Sequence, residues 1–130
     1  MIDDRPELNT LEQNSFVHDK HLLDSYEKVG RLIPSGEDVY VVVMTLGYRS
    51  DLLVLQKLRN KSFAYLGLLG SKSKIKTLKD DLKSNGFSNT KLKNMHAPIG
   101  LKIKSHTPEE IAVSIAAEII KVKNNEKAKN

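Results

Sequence analysis

Apolar residues along the chain gather in short runs whose period alternates between strand-like and helix-like, with polar punctuation between them. The clearest run, Val39-Tyr40-Val41-Val42-Val43-Met44, is continuous and β-branched, the character of a strand covered on both faces of a parallel sheet. Phe63 to Leu69 predicts a second strand of the same kind. Between the two, Ser50 and Asp51 are suited to cap a helix running to about Arg59, with Leu52, Leu53, Leu55 and Leu58 on its buried face. Beyond Gly70-Ser71, the spacing of Ile75, Leu78 and Leu82 predicts a helix from about Lys72 to Asn85. Its lysines Lys72, Lys76, Lys79 and Lys83 point largely outward, and Gly86 stops it. Thr107-Pro108-Glu109-Glu110 marks the start of a last helix: Thr107 caps, Pro108 suits the first helical position and Glu110 completes a capping box. Ile111, Ile115, Ile119 and Val122 form its stripe, with Ala112 and Ala116 expected to let it approach a sheet closely.

Residues 1–38 are less regular. Met1 and Ile2 read as the end of a strand, Lys20 to Leu23 as a short strand, Ser25 to Leu32 as a short helix, and Ser35-Gly36-Glu37-Asp38 as a turn. Leu92 to Leu101 reads as an irregular turn around Pro98. Strands alternating with helices imply right-handed crossovers. The expected fold class is therefore α/β: a Rossmann-like parallel sheet with helices on both faces, over residues 1–122. Residues 123–130 are expected to form a disordered, lysine-rich tail.

The net charge of +5 hides an asymmetry: residues 1–40 carry 4 basic and 9 acidic side chains, residues 41–130 carry 17 and 7. The later part can attract an anion. Nucleic acid is disfavoured, because three Phe, four Tyr and no Trp leave little for base stacking and no nucleic-acid motif occurs. Having no cysteine, the chain has no disulfide, thiolate metal site or cysteine nucleophile, which fits a reducing, cytoplasmic setting. Neither an export signal nor a run of apolar residues long enough for a membrane is evident.

In an open parallel sheet, ligands bind where strands end at their carboxyl side. Three segments qualify. Gly70-Ser71-Lys72-Ser73-Lys74 combines a turn, a helix start and two ammonium groups, with Gly70, Ser71, Lys72 and Lys74 able to meet a phosphate; equally, Gly70 turns and Ser71 caps a solvated lysine helix. Thr45-Leu46-Gly47-Tyr48-Arg49 could present Thr45, the Gly47 backbone and Arg49, or could simply turn the chain into the next helix. Asp3, Asp4 and Arg5 could receive a ribose, or form a solvated turn. His18, His21, His96 and His106 lack ligand spacing and read as surface residues, so no metal site is expected. No nucleophile elbow or carboxylate pair supports hydrolase chemistry, and no catalytic residue is assigned.

Five ordered blocks carry a resemblance: Asp3-Asp4-Arg5-Pro6-Glu7; Val41-Val42-Val43-Met44-Thr45 with Asp51; Gly67-Leu68-Leu69-Gly70-Ser71-Lys72-Ser73-Lys74; Ala97-Pro98-Ile99-Gly100-Leu101; and Thr107 to Ile119. Together they resemble the C-terminal Rossmann domain of the XdhC/CoxI family, accessory proteins that mature molybdenum hydroxylases. The resemblance implies a chaperone and not a catalyst. Such a protein would bind molybdenum cofactor (molybdopterin) and pass it to a xanthine dehydrogenase-like apoenzyme, with a cysteine desulfurase as a further partner. It places the phosphate at Gly70 to Lys74, with Asp4 and Thr45 to Arg49 as neighbours. Family members open this domain with a strand, a glycine-rich turn and a helix ahead of the Asp-Asp-Arg block; residues 1–130 contain none of these. They also often carry histidines where this chain has Leu46 and Tyr48. The absent strand predicts uncovered sheet edges, met by a homodimer. The alternatives are an NAD(P)- or nucleotide-binding oxidoreductase domain, and an assembly module without a cofactor.

Overall fold

The computed structural model describes residues 1–6 and 13–128. Glu7 of the first resembling block and the last two residues of the expected tail lie outside them. Two parallel strand pairs organise the chain. β1 (Ile2–Asp3) pairs with β2 (His21–Leu22), and β3 (Gly36–Val43) pairs with β4 (Phe63–Leu68), with Tyr40 opposite Tyr65 and Val43 opposite Leu68. Among the described residues, helices run over α1 (Tyr48–Lys57), α2 (Lys72–Ser84), α3 (Asn89–Asn94) and α4 (Pro108–Ala128). His96 adds one parallel bridge beyond β4, to Gly67.

Alternation along β3 and β4 sends side chains to two cores. Val41, Val43 and Leu68 join Val54, Leu55 and Leu58 of the α1 segment, Ile75, Leu78 and Leu82 of α2, and Tyr26 and Val29. Tyr65 and its register partner Tyr40 face the other way, against Ile111, Ile115, Ile119 and Val122 of α4. Helices therefore cover both faces, as a Rossmann sheet requires. In α2 the threefold and fourfold spacing of Ile75, Leu78 and Leu82 places all three in the core, each contributing roughly 1.5–3 kcal/mol. α4 starts as its sequence dictates: Glu110 N–H donates to Thr107 Oγ1 at 3.1 Å, while Glu110 Oε1 accepts from the Thr107 and His106 amides at 3.0 and 2.8 Å.

Several local expectations differ. The short helix expected over residues 25–32 is present as a 3-10 helix, Tyr26–Arg31, with Ser25 Oγ accepting from the Glu27 amide. Gly36 to Asp38 belong to β3 and not to a turn, because the Gly36 amide donates to Ser62 O at 2.7 Å and pins the start of the pair; the irregularity falls between Gly36 and Tyr40. β3 is not buried on both faces, since Val42 is 37% exposed, and Met44, just past its end, is 48% exposed. Ala112 and Ala116 face outward; the close approach of α4 is instead between Ser114 and Gly100, whose φ is +96° and where a Cβ would lie 2.5 Å from Ser114 Oγ. Within residues 92–101, α3 occupies the start, capped by Ser88. α4 continues past Val122 to Ala128, through the beginning of the expected tail.

Candidate functional site at the carboxyl ends of β3 and β4

The loops leaving β3 and β4 are tied together by one carboxylate. Asp51 stands in the first turn of α1, three, four and seven residues before Val54, Leu55 and Leu58, so the stripe that packs this helix carries it fully inside. Its Oδ1 accepts from the Thr45 amide at 2.9 Å and from Thr45 Oγ1 at 2.6 Å; its Oδ2 accepts from Lys74 Nζ at 2.8 Å. The loop after β3 is thus fixed to the start of α2. A buried carboxylate is tolerated only with such partners, and Lys74 supplies the compensating charge. Gly70 makes room for that lysine: a Cβ there would lie 3.0 Å from Lys74 Cδ and 3.2 Å from Ile75 Cδ1.

Asp51 is not the cap its position in the sequence suggests, because the helix begins at Tyr48, with Gly47 as its N-terminal flank and no side chain capping it. Leu52 and Leu53 are only partly buried, whereas Asp51 and Val54 are inside. Lys74, expected to face an anion, faces Asp51. Ser71 Oγ accepts from the Lys74 amide at 3.3 Å, which leaves the Lys72 and Ser73 amides at the open end of α2. Lys72 and Arg49 are exposed and make no ion pair among the described residues. Gly47 is extended and has open space around it, so no steric need for glycine exists there. Tyr48 donates to Asp81 of α2, and that bond pushes the phenol up to about 12. Leu46 projects into solvent.

Asp3 and Arg5 satisfy each other. Asp3 Oδ1 accepts from Arg5 Nε at 2.9 Å and Oδ2 from Arg5 Nη2 at 2.8 Å, a fork that holds the Asp3 carboxyl below its ordinary range. Asp4, half-buried, makes no ion pair among the described residues. Asp3, Arg5 and Thr45 line one groove between β1 and β3, which Gly47, Arg49 and the Gly70 to Lys74 turn do not reach. The structure therefore brings together Thr45, Asp51, Gly70, Ser71 and Lys74, and separately Asp3 with Arg5.

A partly buried acid, Glu118 of α4, has no counterpart among the residues expected from the sequence. Glu118 Oε1 accepts from Tyr65 OH at 2.7 Å and the Gly100 amide at 3.0 Å, with His96 Nδ1 3.5 Å away. Burial first, and then Glu118, raise the Tyr65 phenol far above its ordinary value, so it remains a donor. His96 is not a surface histidine: it is half-buried and its ring stacks on Tyr65 at 4.6 Å. Both acids share a signal, a carboxylate on a helix's apolar stripe.

A family model described as the XdhC Rossmann domain matches residues 1–119. The chain belongs to that family. Proteins similar to this XdhC domain include the uncharacterized protein YqeB of Escherichia coli (strain K12), 39% identical over 88 residues, 68% of this chain and 16% of that protein. A probable xanthine dehydrogenase subunit of Bacillus subtilis (strain 168) is 37% identical over 82 residues, 63% of this chain and 23% of that one. The crystal structure of a xanthine dehydrogenase from Bacillus halodurans superposes with a TM-score of 0.67 at 30% identity, covering 82% of this chain and 30% of that chain. The XdhC domain thus spans less than a third of the length of each.

Proposed function

We propose that this XdhC domain is an accessory module for a xanthine dehydrogenase-like molybdenum hydroxylase, one that binds molybdenum cofactor for delivery and catalyses no reaction itself. The observation that carries the reading is the Asp51 latch. It fixes the loops after β3 and β4 so that Arg49, Lys72 and the open amides of α2 stand on immobilised backbone at the strand ends. These groups suit the terminal phosphate of molybdopterin: two cations without an ion pair among the described residues, two amide donors, and a carboxylate already neutralised by Lys74. When bound, the cofactor supplies its own redox chemistry. The chain's residues hold the phosphate through Arg49 and Lys72, and Asp51 keeps the loops in register. The names of the Bacillus relatives support the assignment of the apoenzyme as recipient. A cysteine desulfurase is the partner that cofactor sulfuration would call for.

The test is titration of the chain with molybdopterin, followed by its fluorescence, with NAD as the contrasting ligand. Arg49→Ala with Lys72→Ala should weaken molybdopterin binding by about tenfold, roughly 1.4 kcal/mol, without lowering stability. Saturable binding of NAD instead, or unchanged molybdopterin affinity in the double variant, would overturn the reading.

A further inference from the structure

α4 carries apolar residues on both of its sides. Between Ile111 and Val122 its polar residues are Ser114, Glu118 and Lys121, and the first two turn inward: Ser114 is buried against Gly100, and Glu118 accepts from Tyr65 OH and the Gly100 amide. The inner stripe, Ile111, Ile115, Ile119 and Val122, packs with Tyr65. The outer face is left with Ala112, Val113, Ala116 and Ile120, all exposed, Val113 at 61% and Ile120 at 56%. A helix that is apolar on both sides is ordinarily covered on both. Among the described residues nothing covers this outer face, which is turned away from the sheet.

The outer face has a spacing of its own. Glu109, Val113, Ala116, Ile120 and Lys123 follow one another by four, three, four and three residues, the seam along which two helices pack side by side. Its ends are opposite in charge: Glu109 and Lys123 are exposed, make no ion pair among the described residues, and each stand seven residues from Ala116. We infer that this face docks a second copy of the chain, α4 against α4 and antiparallel, about a two-fold axis at Ala116. At about 1.5 Å of rise per residue, Glu109 of one copy then lies level with Lys123 of the other, roughly 10 Å from the axis on either side. Ala116 meets its own counterpart, where the short side chain lets the backbones approach, and Val113 of each copy packs beside Ile120 of the other. The opposed macrodipoles favour the same sense. A parallel pairing would set Glu109 against Glu109 and Lys123 against Lys123. An unrelated partner would need neither opposite charges equidistant from one point nor an alanine at that point.

Sedimentation equilibrium of the whole chain tests the contact, at loadings up to about 1 mM because a small interface is weak. A reversible equilibrium between monomer and dimer is expected. Ala116→Glu puts two carboxylates at the axis and should weaken the dimer at least about tenfold, as should Glu109→Lys, which sets lysine against lysine. Glu109→Lys with Lys123→Glu reverses both ends together and should restore most of the parent's affinity. All three positions are exposed, so these variants are expected to keep the fold, which circular dichroism checks. The chain has no cysteine, so Ala116→Cys introduces a single thiol that should crosslink to its own counterpart on air oxidation, whereas Lys121→Cys, on the flank of the helix, should not. Three results would overturn the inference: a monomer at every loading, a dimer that Ala116→Glu leaves intact, or a charge-reversed double variant that associates no more tightly than Glu109→Lys alone.

Discussion

Two helices of this domain each carry a carboxylate into the core, and they do it by different means. Asp51 of α1 meets a permanent cation, Lys74, and the hydroxyl and amide of Thr45. Glu118 of α4 meets neutral donors at bonding distance, the Tyr65 hydroxyl and the Gly100 amide. Both positions lie on the apolar stripe of their helix, and both tie a loop at a strand end to a helix. The difference lies in what deletion leaves behind. Removing the cation strands a full charge in the interior, whereas removing Glu118 strands two neutral donors. Breaking a buried pair on one side costs about 3–5 kcal/mol, and an orphaned neutral donor roughly 1–3 kcal/mol.

The largest effect is therefore expected for Lys74→Ala. Urea unfolding should show a loss of about 3–5 kcal/mol, while Lys72→Ala, in the same helical turn but exposed, stays within about 0.5 kcal/mol. Equal, small losses in both would mean that the Asp51 latch is not formed. Asp51→Asn combined with Lys74→Met should recover much of the loss, because the charge and its partner leave together.

Glu118→Ala comes next, with a loss of about 2–4 kcal/mol for two donors left without an acceptor. Glu118→Gln keeps an acceptor and should lie between this variant and the parent. Gly100→Ala strikes the same junction from the other side. Its Cβ would clash with Ser114 Oγ at 2.5 Å on a backbone of positive φ, so a loss of about 1–3 kcal/mol is expected. Thr107→Ala, which removes only the cap of α4, should cost about 1 kcal/mol.

How much of the molecule is legible in its sequence follows from the same two acids. The strand and helix order, the α4 capping box and the α2 stripe are readable because each depends on residues close in sequence. Asp51 and Glu118 are readable in principle: an acid three, four and seven residues from positions of the apolar stripe lies on the side of the helix that packs. What the sequence does not show is the partner. Lys74 lies 23 residues from Asp51 and Tyr65 lies 53 from Glu118, separations bridged only by tertiary packing. For the same reason Lys74 resembles a free cation on a helix start, and Ala112 and Ala116 resemble contact residues when Ser114 makes the contact. β3 looks symmetric in sequence because a β-branched run is silent about whether a neighbour covers its second face.

The division between cationic and neutral partners recurs at Asp3 and Glu110, where it sets the smallest expected effect. Arg5 holds the Asp3 carboxyl below its ordinary 3.8, chiefly through their side-chain hydrogen bonds, whereas the backbone amides of His106 and Thr107 hold Glu110 below 4.5. In both, the folded state favours the charged form more than the unfolded chain does. The stability each adds is present above its unfolded value and is lost as pH falls through the lower folded value. The urea midpoint should therefore fall on acidification below about pH 4.5, and less steeply in Asp3→Asn and in Glu110→Gln than in the parent. Salt separates the two. At about 1 M NaCl the Debye length contracts to roughly 3 Å, which weakens the Asp3–Arg5 attraction more than the amide bonds to Glu110. The acid slope that Asp3→Asn removes should accordingly shrink in high salt while the slope that Glu110→Gln removes persists; a slope that is salt-independent in both variants would mean that Arg5 contributes hydrogen bonds and little charge.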